Sequence, residues 1–305
     1  MEILIVMCLG ILLGITIFPE KWQKYAGMLQ FTFAALLIFT MGLTLGLREN
    51  FLQELGQIGF DSLVFAVLPI AASTILVYFL SRRFLSNAKC GETTEGNPQQ
   101  KTPRGEIFVI LLAAVSLTLG VVFSLYVFDE QTSKTLSDFS TIALYLLMFC
   151  AGISIGGNKK VFSQVASHKF KILIIPIAIT VASVASGLIV PLFMNYDIKS
   201  SVAITSGMGW YSLSGIMLTE LAGAKIGTIA FLSNLFREIL SFVLIPFIAK
   251  HLNMFTAIAP AGATSEDSTL PVLIKYTNEE VTVIAVVNGV ICSLVVPIIL
   301  NLLYI

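Results

Sequence analysis

An arginine and a glutamate stand side by side in a stretch of the chain that is otherwise apolar enough to cross a membrane. The stretch runs over 226–246, and the pair is Arg237 and Glu238. Burying a charge at bilayer depth costs roughly 2.5 kcal/mol or more per group, so such residues face a cavity or a partner. The default interpretation is a transport pathway. The alternative is an internal salt bridge that only fixes helix packing.

Polar side chains extend this pair into a stripe. Asn234 lies four residues before Glu238, and Ser233, Arg237 and Ser241 follow one another at the same spacing. Residues spaced by four share one face of a helix, so the two adjacent rows form a single polar stripe. A stripe of amide, hydroxyl, carboxylate and guanidinium groups inside a span is typical of the wall of a wet cavity.

The segment before this helix, about 198–222, is apolar but interrupted. Gly207 and Gly209 can break a helix there and let a ligand approach the backbone. Where the helix restarts, its free N–H groups and the positive end of its dipole attract a carboxylate. The alternative is a glycine-rich loop at the membrane interface. The candidate binding residues at this break are Gly209, Trp210, Tyr211, Ser212 and Ser214.

A second apolar segment, about 254–274, is broken in the same manner and carries the acidic residues Glu266 and Asp267. Hydroxyl side chains surround them, and such oxygen groups suit an ammonium group, a proton or a small cation. The alternative is a solvated loop, because acidic residues beside turn formers usually indicate one. The hydroxyl residues are Thr264, Ser265, Ser268 and Thr269.

The elements that must position these residues are membrane helices. The chain has 305 residues, of which 56% are hydrophobic and 12% are charged. Apolar runs of about 18 residues or more recur along it, which is typical of a polytopic membrane protein. Its 18 basic and 18 acidic residues cancel, so charge gives no indication of a nucleic-acid partner. We predict an all-α fold whose strong spans are 3–18, 28–47, 58–81, 106–128, 138–157, 171–194, 226–248 and 280–304.

The chain repeats itself at an offset of 110 residues, which superposes Gly42 on Gly152 and Gly46 on Gly156. Glycines four apart allow close helix contact, so we expect them to serve packing. Each copy holds three spans, and an odd number inverts the second copy in the membrane, as in many secondary transporters. The resulting units are a first repeat at 1–81, a cytoplasmic linker at 82–105, an inverted second repeat at 106–197 and a transport unit at 198–305.

A fainter repeat, at an offset of 55, relates 228–234 to 283–289, and a broken segment precedes each copy. If both broken segments are re-entrant hairpins, the chain crosses eight times; if they cross fully, it crosses ten times. We expect eight, because that count keeps both repeats inverted.

The orientation follows from the charges of the loops. Basic residues number 13 in the predicted inside loops and 4 in the outside loops, which predicts both termini outside.

The sequence gives little support for an enzymatic activity. Leu213-Ser214-Gly215 resembles the motif of intramembrane serine proteases, but that chemistry needs a base. The only histidines, His168 and His251, lie at span ends. No metal-protease or nucleotide-binding motif is present. We therefore expect no enzymatic activity, and transport driven by an ion gradient instead of ATP.

Three motifs of the C-terminal third resemble the bacterial and archaeal lysine exporter family. They are SGMGWYSLSGIMLTE from Ser206, NLFRE from Asn234 and GATSEDSTLPV from Gly262, and the stretch from Met41 to Asn50 fits more weakly. The resemblance implies a carrier of the inner membrane that exports L-lysine, or a similar cationic amino acid, in exchange for protons. It implies no cofactor beyond a coupling proton or sodium ion, and it is compatible with a homodimer.

By the same resemblance, the intramembrane acidic residues that matter for transport are Glu238, Asp267 and Glu49. Glu266 stands where relatives are expected to carry an uncharged residue, so its charge could alter coupling or selectivity.

We hypothesise that the half-helix near Gly209 to Ser212, with Arg237, holds the lysine carboxylate. Asp267 and Glu238 would hold ammonium groups or the proton. The alternatives are a carrier for another amino acid or organic ion, coupled to sodium, and a channel.

Overall fold

The computed structural model describes residues 2–16, 20–46, 51–85, 115–116, 118–124, 130–157 and 170–305. Every regular element within these residues is helical, which confirms the predicted all-α class for them. The helices are α1 (Glu2–Thr16), α2 (Glu20–Gly46), α3 (Phe51–Phe84), α4 (118–124), α5 (Glu130–Gly157), α6 (Ile174–Ile189), α7 (Ile198–Thr205), α8 (Tyr211–Ala222), α9 (Ala224–His251), α10 (Leu270–Tyr276) and α11 (Glu279–Leu303). Short 3-10 turns lie at Phe170–Leu173, Val190–Leu192, Thr256–Ile258 and Gly262–Glu266.

Four of the described helices are long and apolar enough to cross a membrane: Gly56–Phe84, Ile174–Leu192, Ala224–His251 and Glu280–Leu303. Two further apolar stretches are shorter, at Ile5–Thr16 and Ile142–Ile153. One side of α3 exposes large apolar side chains, among them Phe60, Val67 and Phe79. Such a face suits lipid acyl chains. Four of the expected spans are thus present by length and composition, and the total of eight stays a prediction.

Helices α1 and α5 cross through glycines. A Cβ atom added at Gly10 would collide with the carbonyl oxygen of Phe149, and one at Gly152 would collide with that of Met7. The two backbones therefore touch directly, which is how small residues serve helix association in membranes. The expected packing role of Gly152 is confirmed.

Helices α2 and α4 cross in the same manner. A Cβ atom at Gly120 would collide with the carbonyl oxygen of Phe39 and would lie 3.0 Å from the Cα atom of Gly42. The two contacts are related by the repeat offset of 110 residues. Gly10 corresponds to Gly120, and Phe39 corresponds to Phe149, so the same pair of positions meets in both crossings. The internal repeat therefore includes the first helix of each copy, and each first helix packs on the second helix of the other copy.

Helix α9 lies at the centre of the C-terminal third. Helices α3, α7, α8 and α10 pack against it, while α11 packs on the turn Gly262–Glu266 and on α6. Side-chain caps fix the starts of the helices α7 and α11. The Asp197 carboxylate accepts from the backbone N–H of Ser200 to start α7, and the Asn278 amide oxygen accepts from that of Val281 to start α11.

The two halves of the first broken segment have different main neighbours. The arms of a re-entrant hairpin lie side by side, yet α7 packs mainly on α6, whereas α8 packs mainly on α9. The two halves contact each other little. This arrangement favours a broken helix over a hairpin for this segment, which is the geometry of the ten-crossing alternative.

We predict that Gly152→Val lowers the melting temperature of the detergent-purified protein by roughly 5 °C, because the new side chain forces α1 and α5 apart. Gly59→Val is the matched control, since a Cβ atom at Gly59 meets nothing within 4 Å. Thermal unfolding followed by size-exclusion fluorescence measures both. Equal melting temperatures for the two variants would contradict the crossing.

Candidate functional site

The first break lies between α7 and α8, where the backbone enters a conformation that L-residues rarely adopt. Met208 has φ 48° and Gly209 has φ 94°. Glycine accepts such angles freely, whereas a residue with a side chain loses of order 1 kcal/mol or more there. The N–H of Trp210 donates to the carbonyl oxygen of Gly207 at 2.8 Å and closes the turn. The predicted helix break at Gly207 and Gly209 is confirmed.

Helix α8 then begins with unused donors. Its N-cap residue, Trp210, makes no side-chain capping bond. The N–H of Tyr211 donates to Gly209 and that of Ser214 to Trp210. The N–H groups of Ser212 and Leu213 have no acceptor among the residues that the structure describes. An anion is stabilised by such a helix start, because its N–H groups and dipole both favour negative charge.

Asn234 holds this break from α9. Its Oδ1 atom accepts from the N–H of Gly209 at 2.7 Å, and its Nδ2 atom donates to the Ser214 hydroxyl at 3.2 Å and to the carbonyl oxygen of Ala230 at 2.8 Å. The side chain is 3% exposed, and a Cβ atom at Gly207 would collide with it. Asn234 is thus a positioning residue, since it satisfies backbone groups that the break leaves without helical partners.

The second break touches the first. Gly262 has φ 58°, and the N–H of Ala263 donates to the carbonyl oxygen of Met208 at 2.9 Å. A Cβ atom at Gly262 would collide with that same oxygen, and one at Gly209 would lie 3.0 Å from the carbonyl oxygen of Ala261. The two interrupted segments therefore cross in direct backbone contact, and both glycines are needed for it.

Arg237 is buried against the second segment, with 1% of its surface exposed. Its Nε atom donates to the carbonyl oxygen of Pro260 at 3.0 Å, Nη2 to that of Ala259 at 3.3 Å, and Nη1 to the hydroxyl of Ser183 on α6 at 3.3 Å. Its described partners include no carboxylate. On the side of Arg237, the described contacts thus fix the second segment through carbonyl and hydroxyl oxygens.

Tyr211, the first residue of α8, lies in the neighbourhood of both candidate carboxylates. Its buried phenol lies within electrostatic range of both Glu238 and Asp267. Glu238 is 3% exposed, whereas Asp267 is exposed and accepts from the backbone N–H and hydroxyl of Ser268. One acid thus lies inside the protein and the other at an accessible surface, with a phenol near both.

The hydroxyls of the second segment serve its own turn and α11. Ser265 donates to the carbonyl oxygen of Ala285 at 2.7 Å, and Thr264 donates to that of Ala261 at 2.9 Å. Asn288, on α11, donates to the carbonyl oxygen of Gly262 at 2.8 Å and to the Ser265 hydroxyl at 2.9 Å. Asn288 thus holds the second break as Asn234 holds the first.

Sequence reasoning missed two positioning residues, Asn288 and Ser183. Asn288 lay within the fainter repeat, inside an apolar span, so its polarity was a usable signal. Ser183 had no signal of its own. Of the predicted site residues, those beside the two breaks come together in space. Glu49 lies outside the residues that the structure describes.

Comparison with known proteins identifies the family. A family model described as lysine exporter LysO matches residues 114–304, more than half of the chain. The lysine exporter LysO of Escherichia coli strain K12 is 32% identical over 269 residues, which are 87% of this chain and 86% of that protein. The chain belongs to the lysine exporter family. A Haemophilus influenzae protein named "Putative lysine exporter" is 39% identical over 157 residues, 52% of this chain and 80% of that protein. No solved structure matches the chain.

Membership of the lysine exporter family confirms the resemblance drawn from the three C-terminal motifs, all of which lie within the matched residues. The family is one of transporters, which agrees with the expectation of a transporter. Family membership and the apolar helices together indicate that this chain is an integral membrane protein.

We predict that Arg237→Lys destabilises the protein by about 3 kcal/mol, because one ammonium group cannot reach two carbonyl oxygens and a hydroxyl at once. The control is Arg83→Lys, the same change at an exposed position. Thermal unfolding in detergent measures both. A wild-type melting temperature for Arg237→Lys would show that the guanidinium contacts do not stabilise the second break.

Proposed function

We propose that this protein is a secondary carrier that exports L-lysine across the cytoplasmic membrane in exchange for protons. The observation that carries the proposal is the pair of acids, Glu238 and Asp267, whose charges both act on Tyr211 near the point where two interrupted segments cross. Family membership supports lysine as the substrate. Acidic residues within membrane spans commonly mark ion and substrate pathways.

The start of α8 binds the carboxylate of lysine. The free N–H groups of Ser212 and Leu213 offer two donors at the positive end of a helix dipole. The donors of Arg237 go to Pro260, Ala259 and Ser183. Arg237 therefore contributes a fixed positive charge and holds the second break, and the substrate carboxylate takes its hydrogen bonds from the backbone.

Glu238 and Asp267 bind the ammonium groups of lysine or the exchanged proton. A carboxylate can hold an ammonium group or a proton, but not both at once. Lysine and protons therefore compete, and this competition is the simplest route to exchange. The accessible position of Asp267 suits loading and release, while the buried position of Glu238 suits holding a cation away from water.

Two inverted copies, α1 to α3 and α4 to α6, surround this site in the proposed carrier. The matching crossings of α1 with α5 and of α4 with α2 support two equivalent copies. Both termini lie on the same side of the membrane in this arrangement, because eight and ten crossings are both even, and the loop charges place that side outside. Rocking of one three-helix copy against the other opens the site first to one side of the membrane and then to the other.

We predict that Asp267→Asn abolishes proton-driven lysine flux in proteoliposomes, because an amide can neither exchange a proton nor pair with an ammonium group. Glu280→Gln, which neutralises an exposed acid at the start of α11, is the control and retains flux. Radiolabelled lysine uptake under an imposed pH gradient is the measurement. Unchanged flux in Asp267→Asn would remove this residue from the mechanism.

We also predict that unlabelled lysine, and to a lesser degree ornithine or arginine, drives counterflow of labelled lysine, whereas a dicarboxylate does not. The site pairs two acids with one set of anion-binding donors, so it matches a substrate with more cationic than anionic groups. Omission of sodium from every buffer is the control for the coupling ion. Counterflow by the dicarboxylate, or a requirement for sodium, would favour the organic-ion carrier instead. Unitary currents from the same protein would favour a channel.

A further inference from the structure

Glu266 ends the turn that docks along α11, and its carboxyl group lies at that interface. The turn is held by the bond from Ser265 to the carbonyl oxygen of Ala285 and by the bond from Asn288 to that of Gly262. A Cβ atom at Gly289 would lie 2.5 Å from the Cβ atom of Glu266, so α11 must present a glycine there. The backbone of Glu266 is therefore fixed, and its side chain lies along α11.

The carboxyl group of Glu266 receives little support for a negative charge. Its Oε1 atom accepts from the Ser293 hydroxyl at 3.0 Å, which is the hydrogen bond that the described residues give it. A carboxylate has about four acceptor positions. The side chain is partly exposed. The donors of Arg237 point to Pro260, Ala259 and Ser183, so this buried guanidinium gives Glu266 no hydrogen bond.

Asp267, its neighbour in the chain, is better supported. It is exposed and accepts from both the backbone N–H and the hydroxyl of Ser268. The ionisable groups within electrostatic range of Glu266 are Asp267 and Cys292. Two carboxylates on adjacent residues repel each other's negative charge, so the one with less water and fewer hydrogen bonds binds a proton more readily. The less exposed and less hydrogen-bonded group is the one that keeps it.

We propose that Glu266 carries the exchanged proton, while Asp267 stays ionised and binds an ammonium group of lysine. This division of roles rests on the proposed function above and refines its proton site. It makes Glu266 a coupling residue that lysine does not need to touch.

The cycle balances as follows. Lysine arriving from the cytoplasm brings positive charge beside Asp267, which favours the ionised form of Glu266. The O–H bond of the Glu266 carboxyl group breaks, and the proton passes to water on the cytoplasmic side. Lysine then leaves on the outside, and the two carboxylates are again alone together. A proton from outside water binds Glu266, and the empty carrier returns with it.

The test uses Glu266→Gln, which resembles a carboxyl group that never loses its proton and can still accept from Ser293. In proteoliposomes we expect lysine–lysine counterflow to continue, with a KM raised by roughly tenfold or less through loss of one neighbouring charge. Net lysine flux should no longer respond to an imposed pH gradient. The number of protons per lysine, measured from the gradient that just stops net flux, should fall by one. Glu280→Gln keeps the wild-type value.

The outcomes are distinct. An unchanged proton number and pH response in Glu266→Gln would overturn the role of Glu266 and leave the exporter function standing. Loss of counterflow in a folded Glu266→Gln protein would also overturn it, because the residue would then be needed for lysine itself. Absence of lysine counterflow in the wild type would instead refute the proposed function.

A second variant covers the case in which Glu266→Gln does not fold. Ser293→Ala removes the one hydrogen bond that favours the ionised form of Glu266. The pH at which net flux is half-maximal should then rise by about one unit. Ser186→Ala is the control, because this buried hydroxyl on α6 donates to the carbonyl oxygen of Ala182 in its own helix. A profile that is the same in Ser293→Ala as in the control would overturn the proposal.

Discussion

Two interrupted segments meet backbone to backbone, and the polar interior of this protein depends on that contact. Ala263 donates to the carbonyl oxygen of Met208, and a side chain at Gly209 or Gly262 would prevent the approach. Each interruption leaves N–H and C=O groups without helical partners in a region with little water, which costs several kcal/mol per unsatisfied group. The polar side chains of α9 and α11 offset that cost. The strongest polar feature of the sequence, the stripe on α9, is therefore in large part a support for irregular backbone.

Much of this arrangement could be predicted from residue types. Gly207 and Gly209 indicated a break: Gly209 adopts the positive φ angle that glycine tolerates, and Gly207 leaves room for the side chain of Asn234. The apolar runs indicated membrane helices, and a repeat detected through Gly42 and Gly152 also relates two helix crossings. These features leave a signal because each depends on a local property of the chain.

Long-range partners could not be predicted in the same way. Arg237 was interpreted as a group for a substrate or for Glu238, yet it binds the carbonyl oxygens of Ala259 and Pro260. Every residue has a carbonyl group, so no residue type marks these two as acceptors. The path of α7 and α8 after their break could not be predicted for a related reason: a helix break is visible in composition, but the neighbours of each half, α6 and α9, are not.

The glycine crossings interlock the two halves of the chain. The first helix of one half lies against the second helix of the other, in both directions, through contacts at Gly10 and Gly120. During synthesis the ribosome releases α1 long before α5 exists. Helix α1 must therefore remain in the lipid without its final neighbour until the later half has entered the bilayer. Insertion and assembly are thus separate events in this protein, and either half on its own is an unfinished structure.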